Sequence, residues 1–404
     1  MSKRTIIIGA GHAGGQCATS LRQAKYEGEI LLMGAESYPP YERPPLSKQM
    51  LVVGLEAEKL YLRKKEYYQK SNIQLKLGVT IARVDVGIRQ VFLANGEYLD
   101  YDHLVLATGG RVRKLAIPGA ELRGVHYLRT IDDATNILAE LREEGLNVVV
   151  IGGGYIGLEA AASLRKRNCE VSLLEATDRL MGRSVGAEIS TFYQAYHQSQ
   201  GVKIQLETKA VRIRGEKSVE AVECEDGSVH PADLVIIGIG IIPNTALAEE
   251  AALLVDQGII VNEYCQSSDT YIYAIGDVAN HPSSLYGRRI RLESVQNAVG
   301  QARVVAKAIV GKPIPYTEVP WFWSDQYDLK LQLAGLPENY DHILIRGDQA
   351  EGKFALWYLN GNQVQAVHAV NLPRDFMFGK QFIARRLELE VDKLRDIEMP
   401  LKEL

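Results

Sequence analysis

Short apolar runs punctuate this chain, and two of them end in the same way. Thr5-Ile6-Ile7-Ile8 leads into Gly9-Ala10-Gly11-His12-Ala13-Gly14, and Val148-Val149-Val150-Ile151 leads into Gly152-Gly153-Gly154-Tyr155-Ile156-Gly157. An uninterrupted apolar run of this length reads as a strand buried on both faces, and the residues after each glycine cluster suit a helix. The pattern therefore predicts strand, tight glycine turn and helix twice in one chain. The two halves continue to echo one another. A β-rich excursion near residues 73–102 precedes the strand-like segment Tyr101 to Ala107, which closes on Thr108-Gly109-Gly110. The second half closes on Asp233-Leu234-Val235-Ile236-Ile237-Gly238-Ile239-Gly240. Thr270 to Asp277 predicts another strand, ending in Gly276-Asp277. From Pro320 the texture changes. Aromatic, alternating stretches such as Phe354-Ala355-Leu356-Trp357-Tyr358-Leu359 predict a smaller α+β domain with antiparallel strands.

Glycine at these turns lets backbone approach a pyrophosphate closely, and the helix that follows offers unpaired N–H groups to the phosphates. Two such sites in one chain imply two dinucleotides held together, a flavin and a nicotinamide with a hydride passing between them. The strand after the second motif ends on Glu175, followed by Ala176 and Thr177 with no arginine directly after it. An acid there accepts hydrogen bonds from a ribose 2′-hydroxyl and repels a 2′-phosphate, which favours NADH over NADPH. The expected fold class is α/β: two Rossmann-like dinucleotide-binding domains of the glutathione-reductase-like kind plus a C-terminal α+β domain.

Composition narrows the partners. At 404 residues the chain exceeds one ordinary core, so two or three domains are expected. The formal charge of -4 gives no global signature for nucleic acid or an anionic membrane, and no run approaches a transmembrane span. With the first strand following Met1-Ser2-Lys3-Arg4 at once, a cytoplasmic location is expected. The four cysteines, Cys17, Cys169, Cys224 and Cys265, form no close pair, so neither a redox disulfide nor a metal site is expected. Cys17 reads as a packed thiol in the first helix. His12 reads as a space-filler at the turn, and the histidines show no metal spacing.

Several strings carry a resemblance over essentially the whole chain. They are Arg43-Pro44-Pro45-Leu46-Ser47-Lys48, Ala107-Thr108-Gly109-Gly110-Arg111, Ile156-Gly157-Leu158-Glu159, Ala274-Ile275-Gly276-Asp277, Glu293-Ser294-Val295-Gln296-Asn297-Ala298 and Pro320-Trp321-Phe322-Trp323-Ser324-Asp325-Gln326. The chain resembles the FAD-dependent, NADH-using ferredoxin reductases of the putidaredoxin reductase and aromatic-ring dioxygenase type. The resemblance implies a FAD-binding domain split over 1–113 and 247–319, an inserted NAD-binding domain over 114–246 and a C-terminal domain over 320–404. It implies that Lys48 lies near the flavin and that Glu159 pairs with Lys48 or positions the nicotinamide. Trp323 would approach the flavin ring, and these three would form the catalytic set. Asp277 would bind the ribityl chain and Val295 would offer backbone to the ring. Gly9, Gly11, Ala13, Gly14, Arg43, Ile81, Ala107, Thr108, Gly109, Arg111, Arg129 and Gly276 would complete the FAD site. Gly152, Gly154, Ile156, Gly157, Glu175, Arg183 and Gly240 would hold NADH. One departure concerns the acid that meets the FAD adenosine ribose. The family places it directly after the glycine closing the second strand, where this chain has Ala35 after Gly34; Glu36 stands one position on. Glu36 either reaches the ribose from there or the contact is lost.

The activity implied is ferredoxin–NAD+ reductase: NADH reduces FAD, which passes single electrons to a [2Fe–2S] ferredoxin feeding a cytochrome P450 or a Rieske-type oxygenase. Other acceptors within the fold stay open, among them rubredoxin, monodehydroascorbate and a nitrite reductase component. So does a slow-turnover redox sensor like apoptosis-inducing factor. A monomer or weak dimer is expected. The stretch from Arg288 to Lys312 carries Arg288, Arg289, Arg291, Arg303, Lys307 and Lys312 against the single acid Glu293. It predicts a basic patch for an acidic ferredoxin, with docking at Arg288, Arg289, Arg303 and Lys307.

Overall fold

The computed structural model describes residues 3–141 and 144–404. They group into two compact units. One comprises the chain up to Glu42, Glu58–Arg111 and Ile242–Phe322; the other comprises Arg43–Ala57, Val112–Ile241 and Trp323–Leu404.

The first unit is built on a parallel sheet with strand order Ile272–Ala274, His103–Leu106, Arg4–Ile8, Glu29–Gly34 and Ile73–Leu77. Arg4–Ile8 is central, with Ile6 opposite both Leu31 and Leu104. Its apolar residues face a core on both sides of the sheet, which is why they read as a continuous run rather than an alternation. Helix His12–Gln23 follows at once and packs against helix Val295–Ile309. The turn between strand and helix admits only glycine at two places. Gly9 has φ +112°, and a Cβ there would stand 2.1 Å from the Ala107 carbonyl oxygen. A Cβ on Gly14 would stand 1.9 Å from the carbonyl oxygen of Gly9. The β excursion is a small antiparallel sheet of Ile81–Asp85, Gln90–Leu93 and Tyr98–Asp100.

The second unit repeats this logic. Its parallel sheet has the order Lys203–Gln205, Glu170–Leu174, Asn147–Ile151, Leu234–Ile237 and Val125–Tyr127. Helix Tyr155–Arg165 follows the central strand, Gly152 has φ +109°, and a Cβ on Gly157 would lie 2.0 Å from the Gly152 carbonyl oxygen. Its own antiparallel excursion comprises Ala210–Arg214, Ala221–Cys224 and Val229–Pro231. The chain then closes with an antiparallel sheet in the order Trp321–Gln326, Leu329–Gly335, Gln363–Val370, Lys353–Asn360 and His342–Asp348, with helix Pro373–Arg385 packed on it. The fold class is thus the α/β one expected, with an antiparallel C-terminal domain. The strands are shorter than the apolar runs suggested: Tyr101 to Ala107 yields His103–Leu106, and Thr270 to Asp277 yields Ile272–Ala274. On the C-terminal side the flanking residues Ala107 and Ile275 lead into the glycine-bearing segments at Gly109 and Gly276. Among the described residues no helix is long and apolar enough to cross a membrane.

Candidate functional site

In the first unit, three loops converge on the turn Gly9–Gly14. Ala107 donates its N–H to the Ile8 carbonyl at 2.7 Å and brings its own carbonyl against Gly9. Gly276 sits against Ala13, where an added Cβ would stand 3.0 Å from the alanine Cβ. Gly34 comes closer still to Ala10, at 2.6 Å for an added Cβ, so the end of the second strand, with Ala35 and Glu36, borders the turn. The Glu36 carboxylate accepts from the Tyr41 hydroxyl at 2.5 Å. His12 opens the helix beside Asp277; burial lowers its basicity while the Asp277 charge acts against that shift. Its Nδ1 is buried without a hydrogen-bond partner. Gly11 differs from its neighbours, because a Cβ there would meet nothing within 4 Å. The turn is therefore sealed by backbone on one side and open on the other, at a helix N-terminus.

Residues not singled out from sequence hold this arrangement. Gln301 accepts from the Gly276 N–H at 2.8 Å, and Asn297 donates to the Leu292 carbonyl at 3.1 Å. Asn244 donates to the Thr108 carbonyl at 2.9 Å and accepts Arg111 at 3.2 Å. Thr108 in turn donates to the Asn244 carbonyl at 2.8 Å, so Thr108, Arg111 and Asn244 form one cluster next to Gly109. Val295 begins the helix capped by Ser294, whose hydroxyl accepts from the Asn297 N–H at 3.2 Å. Ile81 is half-buried at the start of its strand.

In the second unit, Glu175 reaches into the glycine turn. One carboxylate oxygen accepts the Gly153 N–H at 2.6 Å; the other accepts the Thr177 N–H at 2.8 Å and its hydroxyl at 2.7 Å. A Cβ on Gly154 would meet nothing within 4 Å, matching Gly11 in the first unit. Ile156, one residue into the helix, stays 43% exposed although it is a large apolar side chain. Arg183 lies beside Gly240, whose φ of +97° bends the loop away so that an added Cβ would be 3.4 Å from the guanidinium. Arg43 donates to the Arg129 carbonyl at 2.5 Å, while the Arg129 N–H is held by Asp133 at 3.0 Å.

Also in the second unit is a buried ionic cluster. Lys48 Nζ lies 2.6 Å from Glu159 Oε2, and Glu159 is 3% exposed. The same oxygen accepts from Ser47 Oγ at 2.5 Å, and Oε1 accepts from Ser324 Oγ at 2.6 Å. Ser47 is itself fixed, because Ser163 donates to its carbonyl at 2.7 Å. A buried carboxylate with an ammonium and two hydroxyl donors is fully satisfied, the condition under which a buried charge is tolerated. Trp323 lies next to Ser324 in strand Trp321–Gln326 and is half-buried, pointing to the opposite face as strand alternation requires. Ser47 and Ser324 stand inside strings already conspicuous in the sequence, Pro-Pro-Leu-Ser-Lys and Trp-Phe-Trp-Ser-Asp-Gln. Their small hydroxyls were overshadowed there by Lys48 and Trp323.

The cysteines are free and buried. Burial pushes the Cys17 thiol up to about 12 and raises Cys169, Cys224 and Cys265 as well. The thiolate is the reactive form, so these side chains are suited to packing. The basic stretch does not stay together as a set of free cations. Arg289 donates to the Val261 and Asn280 carbonyls, and Arg291 donates to the Asp277 carbonyl and to Glu293. Both guanidiniums are tied into the fold. Arg303 and Lys307 are exposed one turn apart on helix Val295–Ile309.

Two nucleotide-type turns, each at a helix N-terminus, with an ionic pair and no paired cysteines define an oxidoreductase that works through bound dinucleotides. Residues 3–302 match the pyridine nucleotide-disulphide oxidoreductase family and residues 321–404 match the reductase C-terminal domain. The chain is 45% identical over 406 residues to putidaredoxin reductase CamA of Pseudomonas putida, covering 99% of this chain and 96% of that protein. It superposes on the ferredoxin reductase for the CYP199A2 system from Rhodopseudomonas palustris with a TM-score of 0.96, at 40% identity and covering 99% of both chains. It matches the covalent putidaredoxin reductase–putidaredoxin complex structure equally well, with a TM-score of 0.96 at 44% identity, covering 99% of this chain and 97% of that one. The chain belongs to the pyridine nucleotide-disulphide oxidoreductase family and, within it, to the ferredoxin reductases. The family pairs FAD with a nicotinamide nucleotide.

Proposed function

We propose that this chain carries electrons from NADH, through bound FAD, to a small [2Fe–2S] ferredoxin that supplies a cytochrome P450 or a Rieske-type oxygenase. The observation that carries the reading is the ion pair of half-buried Lys48 with buried Glu159, in a chain with two open glycine turns. Gly11 and Gly154 leave room at a helix N-terminus where their neighbours leave none, which suits a pyrophosphate. The turn Gly9–Gly14 with Gly276, Asp277 and Val295 would hold FAD. The turn Gly152–Gly157 with Glu175, Arg183 and Gly240 would hold NADH. FAD, when bound, supplies the exchange between a two-electron donor and a one-electron acceptor.

The residues of the chain bind, orient and set charge. Glu159 holds the Lys48 ammonium at one point, and Ser47 and Ser324 hold Glu159. A cation fixed in this way stabilises negative charge that develops beside it, without reorganising during the reaction. Trp323 would cover the flavin and line the route to the acceptor. Arg303 and Lys307 would meet the acidic face of the ferredoxin. The relatives named for putidaredoxin and for a P450 system support the type of acceptor.

Stopped-flow reduction of the FAD-loaded protein by NADH tests the reading. Lys48→Ala is expected to slow flavin reduction by at least about tenfold, equivalent to 1.4 kcal/mol, and reduced protein is expected to transfer electrons to a [2Fe–2S] ferredoxin. Reduction at the wild-type rate in a fully FAD-loaded Lys48→Ala protein would overturn the assignment of Lys48. Turnover with rubredoxin but not with any ferredoxin would overturn the acceptor.

A further inference from the structure

The Glu159 carboxylate is one end of a longer buried chain. Ser324 Oγ donates to Glu159 Oε1 at 2.6 Å, Gln326 Nε2 donates to Ser324 Oγ at 3.0 Å, and His197 Nε2 lies 2.8 Å from Gln326 Oε1. Ser324, Gln326 and His197 are each at most 1% exposed. The links come from helix Tyr155–Arg165, strand Trp321–Gln326 and helix Ala187–Ser199, and the four linked residues, Glu159, Ser324, Gln326 and His197, all belong to the second unit.

The charge at one end orders every donor behind it. An ionised carboxylate only accepts, so the single Ser324 proton must point at Glu159. The Ser324 oxygen is then free only as an acceptor, so Gln326 must turn its amide nitrogen toward it. That leaves the Gln326 carbonyl facing His197, which must carry its proton on Nε2. His197 Nδ1 is buried without a partner, so a second proton there would have nothing to bond. Burial accordingly pushes the imidazole down to about 4, and the ring stays neutral at working pH. The titratable groups facing Glu159 are Lys48 from the segment Arg43–Ala57 and Tyr155 from its own helix, with Tyr193 behind Tyr155.

We infer that Ser324 and Gln326 are positioning residues, whose one-directional donor chain from His197 holds the Glu159 carboxylate aligned on Lys48. The C-terminal domain thereby helps to build the ionic pair. This rests on the reading of Lys48 and Glu159 as groups serving electron transfer from NADH.

The chain makes a prediction independent of turnover. In the FAD-loaded wild-type protein labelled with 15N-histidine, His197 is expected as the Nε2–H tautomer with no titration between pH 5 and 8. An Nδ1–H tautomer or a titrating ring overturns the proposal. Kinetically, Ser324→Ala removes a donor from the carboxylate. The acid limb of the pH profile for flavin reduction by NADH is expected to move up by about one unit, the size of a lost charge-assisted hydrogen bond. Ser324→Thr keeps the hydroxyl and is expected to restore the limb. Should Ser324→Ala fail to accumulate with FAD, the isosteric Gln326→Glu carries the test. It sets a second acid behind Ser324 and is expected to move the limb in the same direction. Profiles unchanged in these variants, with Lys48→Ala slow, would overturn the donor chain alone. A wild-type rate in Lys48→Ala would remove the reading beneath it.

Discussion

At the scale of single residues, Glu175 carries two tasks. Its carboxylate anchors the Gly153 N–H at 2.6 Å and Thr177 at 2.7 Å, so it shapes the turn as well as presenting negative charge at the strand end. A 2′-phosphate brought there would meet this charge, whereas a ribose 2′-hydroxyl would gain an acceptor. NADH is therefore expected to exceed NADPH in kcat/KM by at least about tenfold, the factor given by 1.4 kcal/mol. Glu175→Ala removes both the acceptor and the anchor of Gly153, so kcat/KM with NADH should fall while the gap to NADPH narrows. Steady-state kinetics with the two nucleotides decides this. Equal efficiencies in the wild type, or an unchanged ratio in Glu175→Ala, would contradict it. The position of Glu175 at a strand end was legible in the sequence, because the apolar stretch before it marks the strand. His197 was not, because nothing along helix Ala187–Ser199 marks one buried imidazole as the end of a chain that begins on another helix.

At the scale of elements, the parallel strands were legible because burial on both faces writes a continuous apolar run. The steric demand at Gly9, Gly14, Gly152 and Gly157 wrote the turns. The fate of individual cations was not legible, since charge in a sequence does not say what a side chain meets. Arg289 and Arg291 sit in the same basic stretch as Arg303 and Lys307, yet backbone carbonyls take up the first two. Helix Val295–Ile309 buries Gln296, Asn297, Gly300, Gln301 and Val304 and leaves Arg303 and Lys307 outside. Its inner face cannot shift easily, since a Cβ on Gly300 would stand 2.7 Å from the Tyr316 ring. The exposed pair thus rides on a rigid support, which suits electrostatic steering of an acidic partner. Arg303→Glu is expected to lower ferredoxin turnover about tenfold relative to turnover with a small dye. Raising salt should reproduce part of that loss, because the Debye length is about 10 Å at 0.1 M. A ratio insensitive to both would place docking elsewhere.

At the scale of the whole molecule, the buried histidines tie stability to pH. Burial pushes His197 and His281 down to about 4 and His368 to about 3, and it also lowers His12 and His103. An unfolded chain protonates its histidines near pH 6.5. Between that value and the depressed folded ones, the unfolded state binds more protons, so stability falls as pH falls. Each of the three strongly buried rings forfeits on the order of 2 kcal/mol at pH 5, from about 1.4 kcal/mol per pH unit below 6.5. Asp375 works the other way, since burial raises its carboxyl and its protonation favours the folded state. It is a single group whose ordinary value lies well below this window, against three histidines that span it. The thermal midpoint of the FAD-loaded protein is therefore expected to drop by several degrees between pH 7.5 and pH 5. Most of that drop should come below pH 6.5, where the unfolded chain takes up protons and the folded core does not. An equal midpoint at the two pH values would mean that these rings gain protons without unfolding, and the neutral His197 that terminates the donor chain to Glu159 would fall with it.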